Sequence, residues 1–289
     1  MVNLETRRLG RTEMRPHALA LGCAPLGRTD RTDAETVAAA RRAIELGMNY
    51  LDTSPLYGES ERRLGLALEG GWREKVYLQT KTGTHPTRQY DFSAEATQWS
   101  VENSLKLLKT DRLDAILIHD PPKIEDPLAP GRALDVLLEM KEKGIVRHIG
   151  LGVRQHDFHK RAIETGHIEL ILTYLDYTLL DQSVAKTTLP LARKHDVGIE
   201  LGSVLGMGLL TGKEPKNHPT AHAMWQWCRA RGVSIRQLAL HFCLGLPLDG
   251  VVLVGCGTKS HVEDVYREAT AEVPPEVWRD FKAEFGVGL

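Results

Sequence analysis

The chain has 289 residues, an apolar content of 42%, a charged content of 26% and a formal net charge of −1. Its length fits one large α/β barrel or two ordinary domains, and its composition is that of a globular protein in water. The near-zero charge, with no basic block interleaved with aromatic residues, argues against nucleic-acid partners and a membrane surface. The longest apolar runs are too short to span a bilayer.

The N-terminus bears on the location of the protein, and the cysteines bear on disulfides and metal binding. Residues 1–10 contain no apolar signal core, which predicts a cytoplasmic location. The cysteines are widely scattered and form no CxxC pair, so neither a disulfide scaffold nor structural zinc is supported. We expect buried free thiols and no metal. The four cysteines are Cys23, Cys228, Cys243 and Cys256.

Short apolar runs alternate with helical patterns along the chain. The segment RRLGRTEMRPHALAL predicts a small hairpin that would close the N-terminal end of a barrel. The runs are dense in Ile, Leu and Val, as expected for strands covered on both faces. The predicted strands span residues 17–23, 48–53, 76–81, 115–119, 148–153, 170–175, 198–203 and 250–255.

The segments between these strands carry helix start and stop signals. Thr32 and Glu35 form a capping box, and Gly47 is the predicted end of that helix. Pro190 should kink a helix over 184–194 or mark its start. Further predicted caps are Ser93, Ser234 and Ser260 at helix starts and Gly144 at a helix end.

Eight predicted strands that alternate with helical segments indicate parallel βα units. We therefore predict a single (β/α)8 TIM barrel with an N-terminal β-hairpin, occupying residues 1–289 as one domain. No repeat, low-complexity tract or linker interrupts the pattern. The longest irregular stretch, from Gly206 to about Thr220, follows the seventh strand, and loops of this length are usually functional or mobile.

Asp52, Tyr57, Lys81 and His119 lie on or just after the ends of strands two to four. The carboxyl ends of the strands are where an α/β barrel carries its chemistry. A tyrosine, with an ordinary pKa of about 10, becomes a useful proton donor when a nearby cation stabilises its phenolate. Lys81 can be that cation, Asp52 can hold it, and His119 can orient a carbonyl oxygen. No side chain supplies a hydride, so a nicotinamide cofactor is implied.

Each of the four residues also has a structural interpretation. Asp52 can cap a turn, Tyr57 can pack, Lys81 can be a solvated charge, and His119 can be a satisfied loop residue. Their joint placement at one end of the predicted barrel favours the catalytic interpretation.

The chain resembles the aldo-keto reductases. The segments that carry the resemblance are LDTSPLYG, LQTK, LDAILIHDP, RRLGRT, LLEMKEKGIVRHIGLGV and SVLGMGLLTGK, and together they cover nearly the whole chain. The resemblance implies a (β/α)8 barrel that binds NAD(P)(H) in an extended form. Tyr57 would then be the general acid in reduction and the general base in oxidation, with Lys81 and Asp52 tuning it and His119 orienting the carbonyl.

The cofactor side departs from the family pattern. Gly152 and Val153 stand where a Ser-Asn pair is common, and Gly202 replaces an aromatic that often stacks on the nicotinamide. His261 stands where an arginine often holds the 2′-phosphate of NADPH, so NAD is favoured over NADP. The resemblance places cofactor contacts at Gly22, Cys23, Asp52, Gly152, Ser203, Leu205, Gly206, Gly255, Lys259, His261 and Asp264.

The segments LGVRQHD and TYLDYTLLDQ resemble the sugar-oxidising branch of the family, the D-threo-aldose and L-fucose or galactose dehydrogenases. We therefore expect an NAD-linked aldose 1-dehydrogenase that converts a sugar to its lactone. The expected partner is a small carbonyl or sugar substrate, and the chain is expected to be a monomer or weak homo-oligomer. Candidate substrate-pocket residues are Pro25, Leu26, Leu56, Tyr90, Pro121 and Trp225.

Three alternatives stay open from the sequence. One is an NADPH-dependent reductase of small aldehydes or ketones. Another is a non-catalytic nicotinamide-binding barrel with a regulatory, redox-sensing role, against which the four intact residues argue. The third is a metal-dependent barrel enzyme, which needs several His and carboxylate ligands at the strand ends; no ligand-spaced cluster appears in the sequence.

Overall fold

The barrel is built from the predicted strands. A computed structural model describes residues 4–289, which contain ten strands. In chain order these are β1 (Leu19–Gly22), β2 (Tyr50–Asp52), β3 (Tyr77–Thr82), β4 (Thr84–His85), β5 (Arg88–Gln89), β6 (Leu113–His119), β7 (Val146–Gly152), β8 (Leu170–Tyr174), β9 (Gly198–Gly202) and β10 (Gly250–Gly255).

Eight of these strands are parallel and close into a barrel in the order β1-β2-β3-β6-β7-β8-β9-β10, with β10 pairing back to β1. β4 and β5 form a short antiparallel hairpin after β3. The predicted (β/α)8 barrel is confirmed, and each predicted strand is present with bounds that agree within two residues.

Helices follow the strands and cover the barrel. They are α1 (Asp33–Glu45), α2 (Ser60–Leu68), α3 (Ala94–Leu108), α4 (Glu125–Leu128), α5 (Ala133–Glu142), α6 (His156–Glu164), α7 (Thr188–His195), α8 (Pro219–Ala230), α9 (Ile235–Leu244), α10 (Lys259–Thr270) and α11 (Pro275–Phe285). None of the helices within residues 4–289 has the length and apolar character needed to cross a bilayer.

The predicted caps are confirmed in most cases. Thr32 and Glu35 form the capping box of α1, and the Ser93 and Ser234 side chains accept from the first turns of α3 and α9. The prediction for Ser260 is wrong, because α10 begins at Lys259 and the residue before it, Thr258, accepts from the third helical amide. Pro190 lies in the first turn of α7, where its missing N–H costs no hydrogen bond.

Side chains alternate between the inside and the outside of the barrel, as the period of two in a strand requires. One apolar core lies between the barrel and its helices, and a second lies inside the barrel. The inner core includes Ala20, Ala115, Leu117, Leu170, Leu172, Val251 and Leu253.

The N-terminal segment closes the bottom of the barrel. The segment folds back on itself through one antiparallel β-bridge, between Thr6 and His17, so the predicted hairpin is present in a short form. Leu9 and Met14 from this segment are buried in the inner core. The Arg11 guanidinium donates to three backbone carbonyls at the bottom of the barrel. Residues 1–3 of the segment used for the location prediction lie outside the described residues.

The opposite end of the barrel is irregular and positions the candidate site. Three residues that directly follow strands, Asp120, Leu175 and Ser203, have positive φ angles of 41°, 65° and 51°. Such angles cost about 1–3 kcal/mol each for residues other than glycine, and they cluster at functional sites. The predicted long loop after β9 is present between a short 3₁₀ turn, Gly206–Gly208, and α8.

Candidate active site

A buried ion pair lies at the top of the barrel interior. The Lys81 ammonium donates to Asp52 Oδ1 at 2.5 Å and to the Thr53 carbonyl at 2.8 Å. Lys81 is 1% exposed and Asp52 is 4% exposed, which excludes the interpretation of Lys81 as a solvated charge. Asp52 pairs with Gln79 in the register of β2 and β3, so Lys81, two residues further along β3, points to the same interior face.

Tyr57 lies directly beside this ion pair. The Lys81 ammonium is 4.7 Å from the centre of the Tyr57 ring. Burial raises the pKa of Tyr57, while the charge of Lys81 acts in the opposite direction. The net pKa stays above its ordinary value because burial outweighs the cation. Lys81 therefore offsets the cost of burying a phenolate, but it does not make Tyr57 acidic in the free protein.

The turn between β2 and α2 holds Tyr57 in place. The Tyr57 amide donates to the Ser54 carbonyl at 3.0 Å, and the Ser60 amide donates to the Tyr57 carbonyl at 3.1 Å. Gly27 packs against this turn so closely that a Cβ atom there would lie 1.5 Å from the Tyr57 carbonyl oxygen. The Tyr57 backbone is thus clamped between α2 and the 3₁₀ turn Ala24–Gly27.

His119 closes the other side of Tyr57. The two rings meet edge to face, with their centroids 6.4 Å apart. Burial, and secondly the charge of Lys81, lower the pKa of His119 well below its ordinary value, so the imidazole is neutral. His119 Nδ1 is 2.5 Å from Thr84 Oγ1, and Nε2 is 3.4 Å from the Asp120 carboxylate. Because a carboxylate accepts, this arrangement favours a proton on Nε2 and a Thr84 hydroxyl that donates to Nδ1.

Two polar residues beside His119 were not predicted from the sequence. The Tyr174 hydroxyl donates to Asp120 Oδ1 at 3.1 Å. Burial raises the pKa values of both side chains, that of Tyr174 to about 12. Both residues lie at strand ends, of β6 and β8, which is the same sequence signal that marks Asp52, Lys81 and His119.

A second set of polar side chains continues below the ion pair. Gln79 Nε2 donates to Asp52 Oδ1 at 2.9 Å and to Glu200 Oε2 at 2.5 Å. The Tyr50 hydroxyl is 2.8 Å from Gln79 Oε1 and 2.9 Å from Glu200 Oε1. Burial, followed by the charge of Asp52, raises the pKa of Glu200 to about 8. Glu200 and Gln79 are polar residues in the middle of apolar strand segments. This break in the apolar pattern is the sequence signal that could have identified them.

The predicted cofactor residues line the rim of the barrel. Gly22, Gly152 and Gly255 are the last residues of β1, β7 and β10, and Ser203, Leu205 and Gly206 follow β9. Gly202 lies so near Tyr174 that an added Cβ would be 3.3 Å from the Tyr174 Cβ. The other predicted contacts, Lys259, His261 and Asp264, lie in the first two turns of α10.

Arg31 also approaches the start of α10, which the sequence did not predict. Its Nε atom is buried without a hydrogen-bond partner among residues 4–289, and it lies 3.6 Å from the Cβ position of Gly257. Burial, followed by the charge of Arg236, lowers the pKa of His261, and Arg31 acts in the same direction. Arg236 is held by two hydrogen bonds to Glu268, at 2.6 and 2.9 Å.

Two of the predicted contact residues, Cys23 and Leu26, have side chains that are fully buried in the outer apolar core. Leu56 and Tyr90 are exposed, at 41% and 52%, and Pro121 is buried. Pro25 and Trp225 are partly exposed, and the Trp225 indole donates to the Gly212 carbonyl at 2.9 Å.

The cysteines are buried and unpaired, as predicted. Burial raises the pKa values of Cys228 and Cys256 to about 12, so both are thiols. Residues 4–289 contain no group of three or more His, Cys, Asp or Glu side chains that could hold a metal ion.

Comparison with known proteins decides the family. The model of the aldo/keto reductase family matches residues 18–283. The chain belongs to the aldo/keto reductase family. The resemblance read from LDTSPLYG, LQTK and LDAILIHDP is confirmed, and this aldo/keto reductase is an NAD(P)-dependent oxidoreductase.

Two curated relatives of this aldo/keto reductase act on sugars by name. It is 32% identical to L-galactose dehydrogenase of Arabidopsis thaliana over 91% of this chain and 88% of the relative. It is 29% identical to D-threo-aldose 1-dehydrogenase of a Pseudomonas species over 91% of this chain and 92% of the relative. A holo-form aldo-keto reductase from Bacillus halodurans superposes with a TM-score of 0.81 at 24% identity over 98% and 96% of the chains, which supports the fold.

We predict that Gly27→Ala lowers both kcat/KM and the melting temperature of this aldo/keto reductase. The new Cβ must displace the Tyr57 carbonyl, since it would lie 1.5 Å from that oxygen. A displacement of about 1 Å commonly costs on the order of 10²-fold in rate. Steady-state kinetics and circular dichroism would measure both effects.

Gly288→Ala is the matched control, because its Cβ would lie 3.2 Å from the Lys282 Cβ and 3.4 Å from the Trp278 ring, both on α11 and neither on the Tyr57 turn. This variant should keep the wild-type kcat/KM. A folded Gly27→Ala enzyme with the same kcat/KM as Gly288→Ala would show that the clamp on Tyr57 does not matter.

Proposed function

We propose that the protein is an NAD-linked aldose 1-dehydrogenase, which oxidises a sugar at C1 to the lactone. The observation that carries the proposal is the position of Tyr57 between the buried Lys81 ammonium and the neutral His119 imidazole. A phenol with a cation on one side and a neutral donor on the other is suited to move a proton at an oxygen atom.

In this mechanism, Tyr57 is the proton carrier. As a phenolate it takes the proton of the sugar C1 hydroxyl, and in the reverse direction its phenol returns that proton. Lys81 stabilises the phenolate, and Asp52 holds Lys81 in place through their 2.5 Å contact. The Nε2–H of His119 donates to the C1 oxygen of the sugar and orients it. A nicotinamide cofactor held at the barrel rim would supply the acceptor for the C1 hydride, and loss of this hydride together with the hydroxyl proton would form the C1=O bond of the lactone.

The rim of the barrel fits a nicotinamide dinucleotide. Gly202 and Gly255 leave room at their strand ends that a Cβ would fill, with neighbours at 3.3 and 3.0 Å. Gly206, at φ +61°, lets the chain after Ser203 turn sharply at the rim. The first turn of α10 and the buried Nε atom of Arg31 supply donors for phosphate oxygens.

The polar groups around Tyr57 support a sugar rather than an apolar carbonyl compound. Asp120 and Tyr174 lie next to His119 and present a carboxyl and a hydroxyl at the site. Such groups can bind a polyol by several hydrogen bonds, which a substrate that lacks hydroxyls would not form. The names of the two curated relatives support the same substrate class.

We predict that the wild-type enzyme reduces NAD⁺ with at least one aldose, and that Tyr57→Phe lowers this turnover by about 10²- to 10⁴-fold, the usual contribution of a general acid–base group. The substitution keeps the ring and removes only the proton-carrying oxygen. A panel of aldoses, followed at the NADH absorbance band, measures turnover, and fluorescence titration measures cofactor binding, which should not change.

Three outcomes would contradict this proposal. Unchanged turnover in Tyr57→Phe would remove Tyr57 from the mechanism. Reduction of small aldehydes with NADPH, without oxidation of any aldose by NAD⁺, would favour the alternative NADPH-dependent reductase. Tight cofactor binding without turnover of any sugar or carbonyl compound would favour the non-catalytic barrel.

The preference for NAD rests on His261, which stands where an arginine would hold a 2′-phosphate. Arg31 is the competing observation, because its guanidinium approaches the same turn. We predict that the wild-type protein binds NADH more tightly than NADPH, and that Arg31→Ala leaves the ratio of the two dissociation constants nearly unchanged. Fluorescence titration with each cofactor measures both constants.

Arg28→Ala is the matched control, since Arg28 is an exposed arginine of the same loop, paired with Asp30 at 2.8 Å. The NAD preference would be refuted if NADPH bound about tenfold more tightly than NADH, an advantage of about 1.4 kcal/mol. Loss of that advantage in Arg31→Ala but not in Arg28→Ala would assign the 2′-phosphate to Arg31.

A further inference from the structure

Glu200 is a buried carboxyl group that the mechanism above does not use. It lies on β9 inside the barrel and is 0% exposed. Its partners are Gln79 Nε2, which donates to Oε2 at 2.5 Å, and the Tyr50 hydroxyl, 2.9 Å from Oε1. Gln79 also donates to Asp52, so a single amide connects Glu200 to the ion pair beside Tyr57.

Counting protons assigns the state of Glu200. The Tyr50 oxygen has two close oxygen neighbours, Gln79 Oε1 at 2.8 Å and Glu200 Oε1 at 2.9 Å. An amide oxygen only accepts, so the single hydroxyl proton of Tyr50 belongs to the contact with Gln79. The contact with Glu200 then needs a second proton, which an ionised carboxylate cannot provide. Both contacts form when Glu200 is protonated and donates to Tyr50.

The orientation of the Gln79 amide supports this assignment. Its Nε2 atom faces two carboxyl groups, those of Asp52 and Glu200, and donates one hydrogen to each. The reverse orientation would put the amide oxygen against the Asp52 carboxylate, where two acceptors would face each other. The network is therefore satisfied in one arrangement only, with Glu200 neutral.

Counting charges leads to the same state. The groups that face Glu200 are Tyr50 and Asp52 on β2 and Gln79 and Lys81 on β3. The charges among them are one carboxylate, Asp52, and one ammonium, Lys81, and these two are already paired at 2.5 Å. An ionised Glu200 would thus be a second anion for a single cation in a dry interior, which is costly.

We propose that Glu200 is a positioning residue that acts in its uncharged form: it holds Gln79 against Asp52, and its neutrality leaves the charge of Lys81 available to Tyr57. The first part rests on the buried geometry alone. The effect on Tyr57 deepens the proposed function and rests on it.

This arrangement makes the site sensitive to alkaline pH. The pKa of Glu200, raised to about 8 chiefly by burial, means that the group loses its proton just above neutral pH. The Glu200 carboxylate then partly cancels the positive potential of Lys81. It raises the pKa of Tyr57, because a like charge disfavours the phenolate. Proton abstraction by Tyr57 should therefore weaken as pH rises through about 8, relative to an enzyme without this titration.

Infrared spectroscopy of the free protein tests the protonation state. The wild-type minus Glu200→Gln difference spectrum at pH 6.5 should contain the carbonyl stretch of a protonated carboxylic acid, shifted in D₂O. Glu169→Gln is the matched control, because Glu169 is a buried carboxyl paired with Lys141 and His148, which hold its pKa at about 2. Its difference spectrum should lack that band. Absence of the band for Glu200 would overturn the assignment.

The rate of hydride transfer in single turnovers tests the effect on Tyr57. Glu200→Gln preserves the donor and acceptor pattern of the protonated acid, whereas Glu200→Leu removes it. We expect Glu200→Leu to be slower at every pH and Glu200→Gln to restore most of the rate. The ratio of the Glu200→Gln rate to the wild-type rate should rise by up to about tenfold as Glu200 ionises in the wild type, the effect of a rise of about one unit in the pKa of Tyr57.

A ratio that does not change with pH, or a Glu200→Gln rate as low as that of Glu200→Leu, would overturn the link to Tyr57. If the infrared band is present but the wild type oxidises no aldose, the proposed function fails while the protonated state of Glu200 stands. If aldoses are oxidised and the band is missing, the proposed function stands while the protonated state of Glu200 fails.

Discussion

The buried contact between Lys81 and Asp52 is the interaction on which the rest of the site depends. Removing two charges from water costs several kcal/mol for each ion, and their attraction repays this only with good geometry and further hydrogen bonds. The barrel provides both, since adjacent strands set the 2.5 Å contact, and the Thr53 carbonyl and the Gln79 amide complete it. Loss of one partner would leave the other charge buried and unpaired.

One cation acts on two neighbours with opposite consequences. The charge of Lys81 opposes the rise that burial causes in the pKa of Tyr57, and it lowers the pKa of His119 further. The phenol is thereby brought closer to ionisation, while the imidazole is kept as a neutral donor. Below the ion pair, Glu200 is neutral and therefore does not compete with Tyr57 for the positive charge of Lys81. The site therefore depends on a charge balance that the strands of the barrel hold in place.

The sequence predicted the fold and the clustering of Asp52, Lys81 and His119 with Tyr57, because both follow local rules. Dense apolar runs mark buried parallel strands, and residues at strand ends meet at one face of a barrel. The missed residues depend on contacts that are distant in sequence. Glu200 meets Gln79 across the barrel interior, and Arg31 reaches α10 from the loop after β1. The burial of the Cys23 and Leu26 side chains in the outer core could not be predicted either, because position near a strand end does not tell which way a side chain points.

The Lys81–Asp52 pair is expected to stabilise the phenolate of Tyr57. The direct measurement is a pH titration of ¹³C-labelled tyrosine by NMR, with the Tyr57 resonance identified by its absence in Tyr57→Phe. We expect the onset of Tyr57 ionisation at lower pH in the wild type than in the Asp52→Asn/Lys81→Met double variant, which removes both charges and keeps the side-chain volumes. An onset at the same or lower pH in the double variant would contradict the account.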